Sequence, residues 1–308
     1  RAGEVLCRHR VSNCRLPVGG WRQPPTGGFA PHPGVAAINH EETRMNTSVP
    51  AEPHVLRVDE AGVSTLTLNR GSQFNALSRA MIGALQNELD AIAADPALRV
   101  VVIAGAGKAF CAGHDLKEMR ANQDKAFIQE LFRSCGRMMM SLTQMPQPVI
   151  ARVHGIATAA GCQLVSMCDL AVAADSARFA TSGINVGLFC ATPAVGLSRN
   201  LGRKQALEML LTGDFIDARA ALQQGLINRV VTSDALDAEV GVLTQAILAK
   251  SSVAVGMGKQ MFYRQLEMGL EAAYQYAAEV MACNMMTEDA GAGIDAFIGK
   301  RQVEWKGR

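Results

Sequence analysis

Residues 148–188 read PVIARVHGIATAAGCQLVSMCDLAVAADSARFATSGINVGL, and the fold turns on this stretch. Residues 149–153 are a short apolar run that breaks at Gly155 into Ala157, Thr158, Ala159, Ala160 and Gly161. An amphipathic pattern resumes at Leu164, which reads as strand, tight turn and helix. Small side chains at the turn let backbone N–H groups approach a bound group closely. The first N–H groups of the following helix have no intrahelical acceptor, so they can face an anion. The turn is a candidate oxyanion or phosphate site.

A second stretch upstream follows the same logic. Residues 99–104 form another candidate buried strand, followed by Gly105-Ala-Gly-Lys and then AFCAGHDLKEM (residues 109–119), small residues running into a helix start. A single turn of this kind is more often packing than a site. Two of them could together hold one developing negative charge.

The pair AFCAGHDLKEM and, about forty residues later, VHGIATAAGCQLVSMCDLAVA (residues 153–173) resembles the crotonase (enoyl-CoA hydratase/isomerase) superfamily. Its members usually show AFCAGAD-L-KEM and then NGYALGGGCELAMACD, and the likeness runs from about His54 to Lys306. The resemblance implies an α/β fold, a crotonase (ClpP-like) spiral of ββα units with a C-terminal all-helical part used for trimerisation, often as a dimer of trimers. It implies a coenzyme A thioester as substrate and no bound cofactor, coenzyme A entering only as part of that substrate. Matched residue by residue, the two backbone N–H groups that polarise the thioester carbonyl fall on His114 and Ala160.

Composition sets bounds on the alternatives. A chain of 308 residues that is 49% hydrophobic has ample material for a large core. No apolar run approaches the roughly 20 residues of a membrane-spanning helix. Residues 1–44 carry six Arg against three Glu, while the rest carries 24 basic against 25 acidic side chains. The near-neutral body argues against nucleic acid, for which a clustered basic surface is expected. The eight Cys show no C-x-x-C pair, which favours reduced thiols over a disulfide framework or a metal site.

Residues 1–44 contain five Pro, several Gly and no Lys, without helical or alternating periodicity, and are expected not to fold. Their Arg content suits a mitochondrial transit segment and hence the matrix, but the single Ser and the lack of an amphipathic helix do not. The reading preferred here is translated leader sequence. Glu41-Glu42-Thr43-Arg44 can be encoded by a ribosome-binding sequence ahead of a start at Met45, which implies a bacterial, cytoplasmic protein. The expected organisation is therefore 1–44 leader or transit-like, 45–235 spiral core and 236–308 helical trimerisation part.

Along the body, residues 55–58 and 63–68 read as a hairpin. Ser78 can cap a helix carrying Met81, Ile82, Leu85, Leu89 and Ile92 at the 3.6 period. Residues 127–145 form a helix whose Met138, Met139 and Met140 are read first as core filling and second as a flexible acyl-pocket wall. Residues 235–250, 253–269 and 271–301 are helical. By resemblance, Gln73 and Phe74 occupy the loop whose backbone touches coenzyme A, with Ser72 where relatives often place a phosphate-binding Lys. Asp115 caps the helix that Lys117 and Glu118 open, and Asp115, Leu116 and Lys117 belong to the same binding segment by the resemblance. Lys117 is either a solvated lysine or a contact to the nucleotide, and its place in the motif favours contact. Lys300 falls where relatives place a lysine reaching a neighbour's nucleotide pocket, while the usual companion aromatic is Met281.

The departures matter more than the match. Family hydratases have one glutamate in the GCEL segment and a second about twenty residues later. Here those positions are Gln163 and Gly183. Glutamine cannot exchange a proton near neutral pH and glycine has no side chain. Two acid/base contributions of ~10²–10⁴-fold each are lost, whereas N–H donors at ~10²–10³-fold each remain. The His114 imidazole can in principle titrate near neutral pH, or sit in a structural hydrogen bond with only its backbone used. Ser182 and Asn185 lie beside the vacated carboxylate position, Cys190 reads as a packed thiol, His154 as a satisfied core histidine and Asp169 as a residue that fixes turn backbone.

The combination GHDLKE, GCQL and FAT-x-G-x-NVGLFC-x-TP resembles a subgroup of this family with mitochondrial and bacterial members, which implies a role in fatty-acyl-CoA metabolism. Three functions remain open on these residues: a hydratase-like lyase of low or redirected activity, a malonyl- or methylmalonyl-type CoA-thioester decarboxylase, and a non-catalytic acyl-CoA-binding protein.

Overall fold

The computed structural model describes residues 52–308, so the expectations for residues 1–44 and for Met45 lie outside the described residues. The chain enters through a hairpin, β1 (Val55–Glu60) and β2 (Val63–Leu68), closed by Ala61 and Gly62 alone, both at positive φ. The first strand runs two residues further than the apolar pattern suggests, because an exposed strand can continue through Asp59 and Glu60 as long as its backbone pairs. Helix α1 (Arg79–Ala93) follows, with Ser78 Oγ accepting from Met81 N and all five predicted apolar positions buried.

Three strand–strand–helix units build the body. The first comprises β3 (Val100–Gly105), β4 (Ala109–Cys111), α2 (Leu116–Ala121) and α3 (Lys125–Gln144). The second is β5 (Val149–Val153), β6 (Ile156–Thr158) and α4 (Ala160–Met167). The third is β7 (Leu170–Ala174), β8 (Arg178–Ala180) and α5 (Ala191–Asn200). In each unit the first strand joins one sheet and the second strand turns off into another. Helix α6 (Arg203–Thr212), β9 (Ile216–Asp217), α7 (Ala218–Gln224) and β10 (Arg229–Val231) complete the two sheets. Their orders are β1-β2-β3-β5-β7-β10 and β4-β6-β8-β9. All pairings are parallel except β1 with β2 and β8 with β9. Parallel strands need crossover segments, and their near-continuous burial explains the apolar runs at residues 100–104 and 149–153.

Four helices end the chain: α8 (Leu236–Leu248), α9 (Ser252–Gln265), α10 (Leu270–Met285) and α11 (Glu288–Ile298). Helix α8 lays Leu236, Val240 and Leu243 on Val100, Val102, Ile150 and Val172 of the larger sheet. The helix expected over 271–301 is broken, because Thr287 caps α11 by accepting from Ala290 N. Buried Asp289 then ties down the tail, accepting from Ser251 Oγ, Lys306 N and Gly307 N. Met138 and Met139 are core residues, while Met140 is half exposed. No single helix among the described residues is long and apolar enough to cross a membrane.

A buried polar cluster fixes α9 to the sheet. Asp169 Oδ2 accepts from Val149 N and from Lys259 Nζ, each at 2.6 Å, and Asp169 Oδ1 accepts from Tyr263 OH at 2.8 Å. Lys259 Nζ also donates to the carbonyls of Leu142 and Gln147, so all three of its N–H bonds are used. Its side chain is only 6% exposed. Burial pulls the lysine below its ordinary value and Asp169 opposes that shift. Breaking such a pair from one side leaves an uncompensated charge, so Lys259→Met is expected to lower stability by about 3–5 kcal/mol. Urea unfolding checks this, and a loss under about 1 kcal/mol would contradict the assigned role.

Candidate active site

The two small-residue turns are packed directly against each other. Ala159 N donates to Ala180 O, and Gln163 N to Ala159 O, which fixes the start of α4. A Cβ added to Gly161 would stand 2.0 Å from Cys111 O, so the second turn approaches the first more closely than any side chain permits. A Cβ on Gly113 would lie 3.2 Å from Ala160 N. Residues 113 and 160 are thus neighbours across the two turns, as the motif pairing requires. Among the described residues neither His114 N nor Ala160 N donates a backbone hydrogen bond, the latter being the first residue of its helix.

Ala159 carries strain. Its φ of 51° and ψ of −119° belong to a region that glycine adopts at little cost. Ala159→Gly is therefore expected to raise stability by about 1 kcal/mol, the relief of strain outweighing the added freedom of the unfolded chain. A thermal melt checks it, and a lower melting temperature would show that the alanine methyl contributes more than the strain costs.

The loop ahead of α1 holds the first turn in place. Asn75 is fully buried at φ 54°. Its Nδ2 donates to the carbonyls of Ala106, Ala109 and Phe110, and its Oδ1 accepts from Arg70 N. Ala112 N donates to Phe74 O and Leu77 N to Gly113 O. Asp115 caps α2, Oδ1 accepting from Lys117 N and Glu118 N.

A cavity of about 430 Å³ opens beside the paired turns. Of the residues singled out from the sequence, His114, Leu116, Ala160 and Gly183 line it, joined by Ser182 and Cys190. Gln73, Phe74 and Lys117 are exposed and outside the lining, as are Asn185 and Lys300, the latter at φ 49° beyond the end of α11. Asp115 lies outside the lining too, one residue from His114. Gln163, expected in the site, sits one turn into α4 and outside the cavity lining, 5% exposed, with Oε1 lacking a hydrogen-bond partner. Met119, Val186, Phe189, Thr192 and Pro193, which lie within the quoted motifs but were given no role, also line the cavity, and Phe132 lines it from outside every motif. Phe132 could have been found as the α3 residue one helical turn before the buried Cys135.

The glycine at 183 is not a simple truncation. A Cβ there would meet Leu188 O at 2.7 Å and Cys190 Sγ at 2.8 Å, so the 188–190 segment fills the space a side chain would need. The hydroxyls of Thr158 and Ser182 bond each other at 2.7 Å. Burial pushes the Cys190 thiol above its ordinary value, in keeping with a packed thiol. His154 Nε2 donates to Gly107 O, which ties the end of β5 to the first turn.

The His114 imidazole is packed edge-on to Phe132, with ring centroids 5.0 Å apart, and its Nε2 has no partner among the described residues. Desolvation lowers its pKa from 6.5 to about 4, so it is neutral at pH 7 and no proton carrier there. In the unfolded chain this histidine takes up a proton near 6.5. Its contribution is complete above that pH and is lost as pH falls toward 4, to a total of about 3 kcal/mol. The difference in stability between wild type and His114→Gln is expected to shrink across that window, read by urea unfolding at several pH values. A difference that stays constant would contradict the neutral assignment.

Spiral topology and paired turns together define a crotonase fold, and the chain belongs to the enoyl-CoA hydratase/isomerase family, whose model matches residues 59–308. Among curated relatives it is 45% identical over 253 residues to enoyl-CoA hydratase domain-containing protein 3, mitochondrial, of Xenopus laevis, covering 82% of this chain and 86% of that one. The crystal structure of human enoyl-CoA hydratase domain-containing protein 3 aligns with TM-score 0.80 and 42% identity, covering 82% of this chain and all of that one. That of an enoyl-CoA hydratase from Mycobacterium smegmatis aligns with TM-score 0.82 and 57% identity, covering 82% of this chain and 99% of the other.

Proposed function

We propose that the protein binds acyl-CoA thioesters with the carbonyl oxygen between His114 N and Ala160 N, stabilises the enolate form, and hydrates enoyl-CoA only weakly. The observation that carries this reading is the contact between the two turns, which brings residues 113 and 160 together with the amides of His114 and Ala160 both unspent. Hydrogen bonds from preorganised N–H groups are worth most where charge develops. Addition of water also needs a group that takes a proton from water and one that delivers a proton to carbon. Gln163 lies outside the cavity lining and its amide does not exchange a proton near neutral pH, residue 183 has no room for a side chain, and no carboxylate among the described residues lines the cavity.

The names of the vertebrate relatives support the enoyl-CoA hydratase reading, and a place in fatty-acyl-CoA metabolism is part of the same proposal. Assembly as a homotrimer or dimer of trimers is part of the same reading. It is supported by the exposure of Leu270, Tyr274, Met281, Phe297 and Ile298 on α10 and α11, since an apolar face of this kind is ordinarily covered. Lys300, just past α11, would then stand beside the neighbouring protomer's nucleotide site, and Gln73, Phe74, Asp115, Leu116 and Lys117 would serve the same protomer's coenzyme A.

Purified protein given crotonyl-CoA is expected to hydrate it at least about 10³-fold more slowly than a two-glutamate relative assayed alongside. Gln163→Glu should recover part of the rate. Gly183→Glu should not, because its Cβ would be driven into Leu188 O. Wild-type turnover equal to that of the relative would overturn the mechanistic reading. Light scattering on the same preparation should give three or six chains, and a monomer would overturn the assembly.

A further inference from the structure

Among the described residues, the polar side chains that line the cavity are those of His114, Ser182, Cys190 and Thr192. Burial keeps the imidazole neutral and the thiol protonated near pH 7. Of the two hydroxyls, that of Ser182 is held by a side chain outside the lining, Thr158, with the two oxygens 2.7 Å apart.

The direction of that bond follows from burial. Either oxygen can donate, and neither hydroxyl has a second partner among the described residues. The two hydroxyls carry two hydrogens, of which one lies between the oxygens and one is left over. If Ser182 donated, the spare hydrogen would sit on Thr158, which is 8% exposed, with nothing to accept it. A buried donor without a partner costs its full desolvation. With Thr158 donating, the spare hydrogen sits on Ser182, at the cavity wall. The pair is thus a relay that presents one O–H to the occupant of the cavity, and the bond from Thr158 strengthens that donor.

The relay stands close to the reacting end of a bound thioester. Thr158 precedes Ala160 by two residues, so their Cα atoms are at most about 7 Å apart. Ala160 N is one of the two amides assigned to the thioester oxygen. A hydroxyl placed there reaches the first carbons of an acyl group and not its far end.

We infer that Ser182, aimed by Thr158, donates to an oxygen on the third carbon of the acyl group, and that the ligand class is a 3-oxoacyl thioester. The inference rests on the thioester reading above and specifies its ligand. A ketone oxygen accepts a hydrogen bond without offering a hydrogen, which matches a hydroxyl with one hydrogen to give. The same class suits a lining without a carboxylate among the described residues. A carbon between two carbonyls is far more acidic than one beside a thioester alone. Its C–H bond breaks with the proton passing to bulk water, and the electron pair spreads over both oxygens. The thioester oxygen then meets His114 N and Ala160 N, the 3-oxo oxygen meets the Ser182 hydroxyl, and no side chain has to take up the proton.

The test is calorimetric titration of the intact protein with free coenzyme A, hexanoyl-CoA and 3-oxohexanoyl-CoA, repeated with Ser182→Ala and Thr158→Val. A near-ultraviolet difference spectrum of each 3-oxo complex reads the enolate. The wild type is expected to hold 3-oxohexanoyl-CoA at least about tenfold more tightly than hexanoyl-CoA, as one hydrogen bond to a charged acceptor supplies. It should also show the enolate band at a pH where the free ligand is the ketone. Ser182→Ala is expected to bring the two affinities within about threefold of each other and to weaken the band. Thr158→Val keeps the Ser182 hydroxyl and nearly the shape of the threonine but removes what aims it, and is expected to cost the 3-oxo ligand about threefold. It also serves as the test if Ser182→Ala fails to fold. Equal affinities in the wild type, or a preference that both substitutions leave untouched, overturn the inference while the thioester reading stands. If neither thioester binds better than free coenzyme A, both fall.

Discussion

Everything in this site depends on how closely two backbone turns approach each other. The contact at Gly161 and Cys111 O tolerates a hydrogen atom and nothing larger, and Gly113 faces Ala159 and Ala160 with little more room. Such closeness places two peptide N–H groups by covalent geometry and not by side-chain rotamers, so the donors are in place before any ligand arrives. Preorganisation of this kind is what gives a donor pair its catalytic worth. The strained backbone at Ala159 is one local cost of it.

Interior polar groups help to hold the turns this close, and Asn75 and Lys259 have their donors fully used. Asn75 satisfies three carbonyls of the first turn region with one amide. Asp169, Lys259 and Tyr263 join the starts of β5 and β7 to α9. An apolar core alone would tolerate small slippage of one strand–helix unit against the next. Directional bonds between buried partners make such slippage expensive. The helical end of the chain therefore does more than offer an apolar face, since α9 supplies two of the three members of this cluster.

Much of the fold was legible in residue order because it rests on periodicity. The apolar runs at 149–153 and near 100–104, the 3.6 spacing in α1 and the glycines at the turns each carry their own signal. The buried polar cluster carried none: a lysine at 259 in an amphipathic helix reads as solvated until its partners ninety residues earlier are in view. The break at Thr287 was hidden because a single capping threonine within a helical pattern competes weakly against continued apolar periodicity. His114 was ambiguous for a related reason, since its proton affinity is decided by Phe132 and burial, not by its motif. At position 183 the sequence showed a glycine, but not that Leu188 O and Cys190 Sγ occupy the space a side chain would need.

On the proposed reading the site offers two backbone donors and, among the described residues lining the cavity, no carboxylate. It suits a chemistry in which negative charge develops on a thioester oxygen and no side chain transfers a proton near neutral pH. The most direct measurement is a crystal structure with a non-hydrolysable thioether or amide analogue of an acyl-CoA. The account predicts the acyl oxygen about 2.7–3.1 Å from both His114 N and Ala160 N. An acyl oxygen bound to other groups, with both amides left unused, would contradict it.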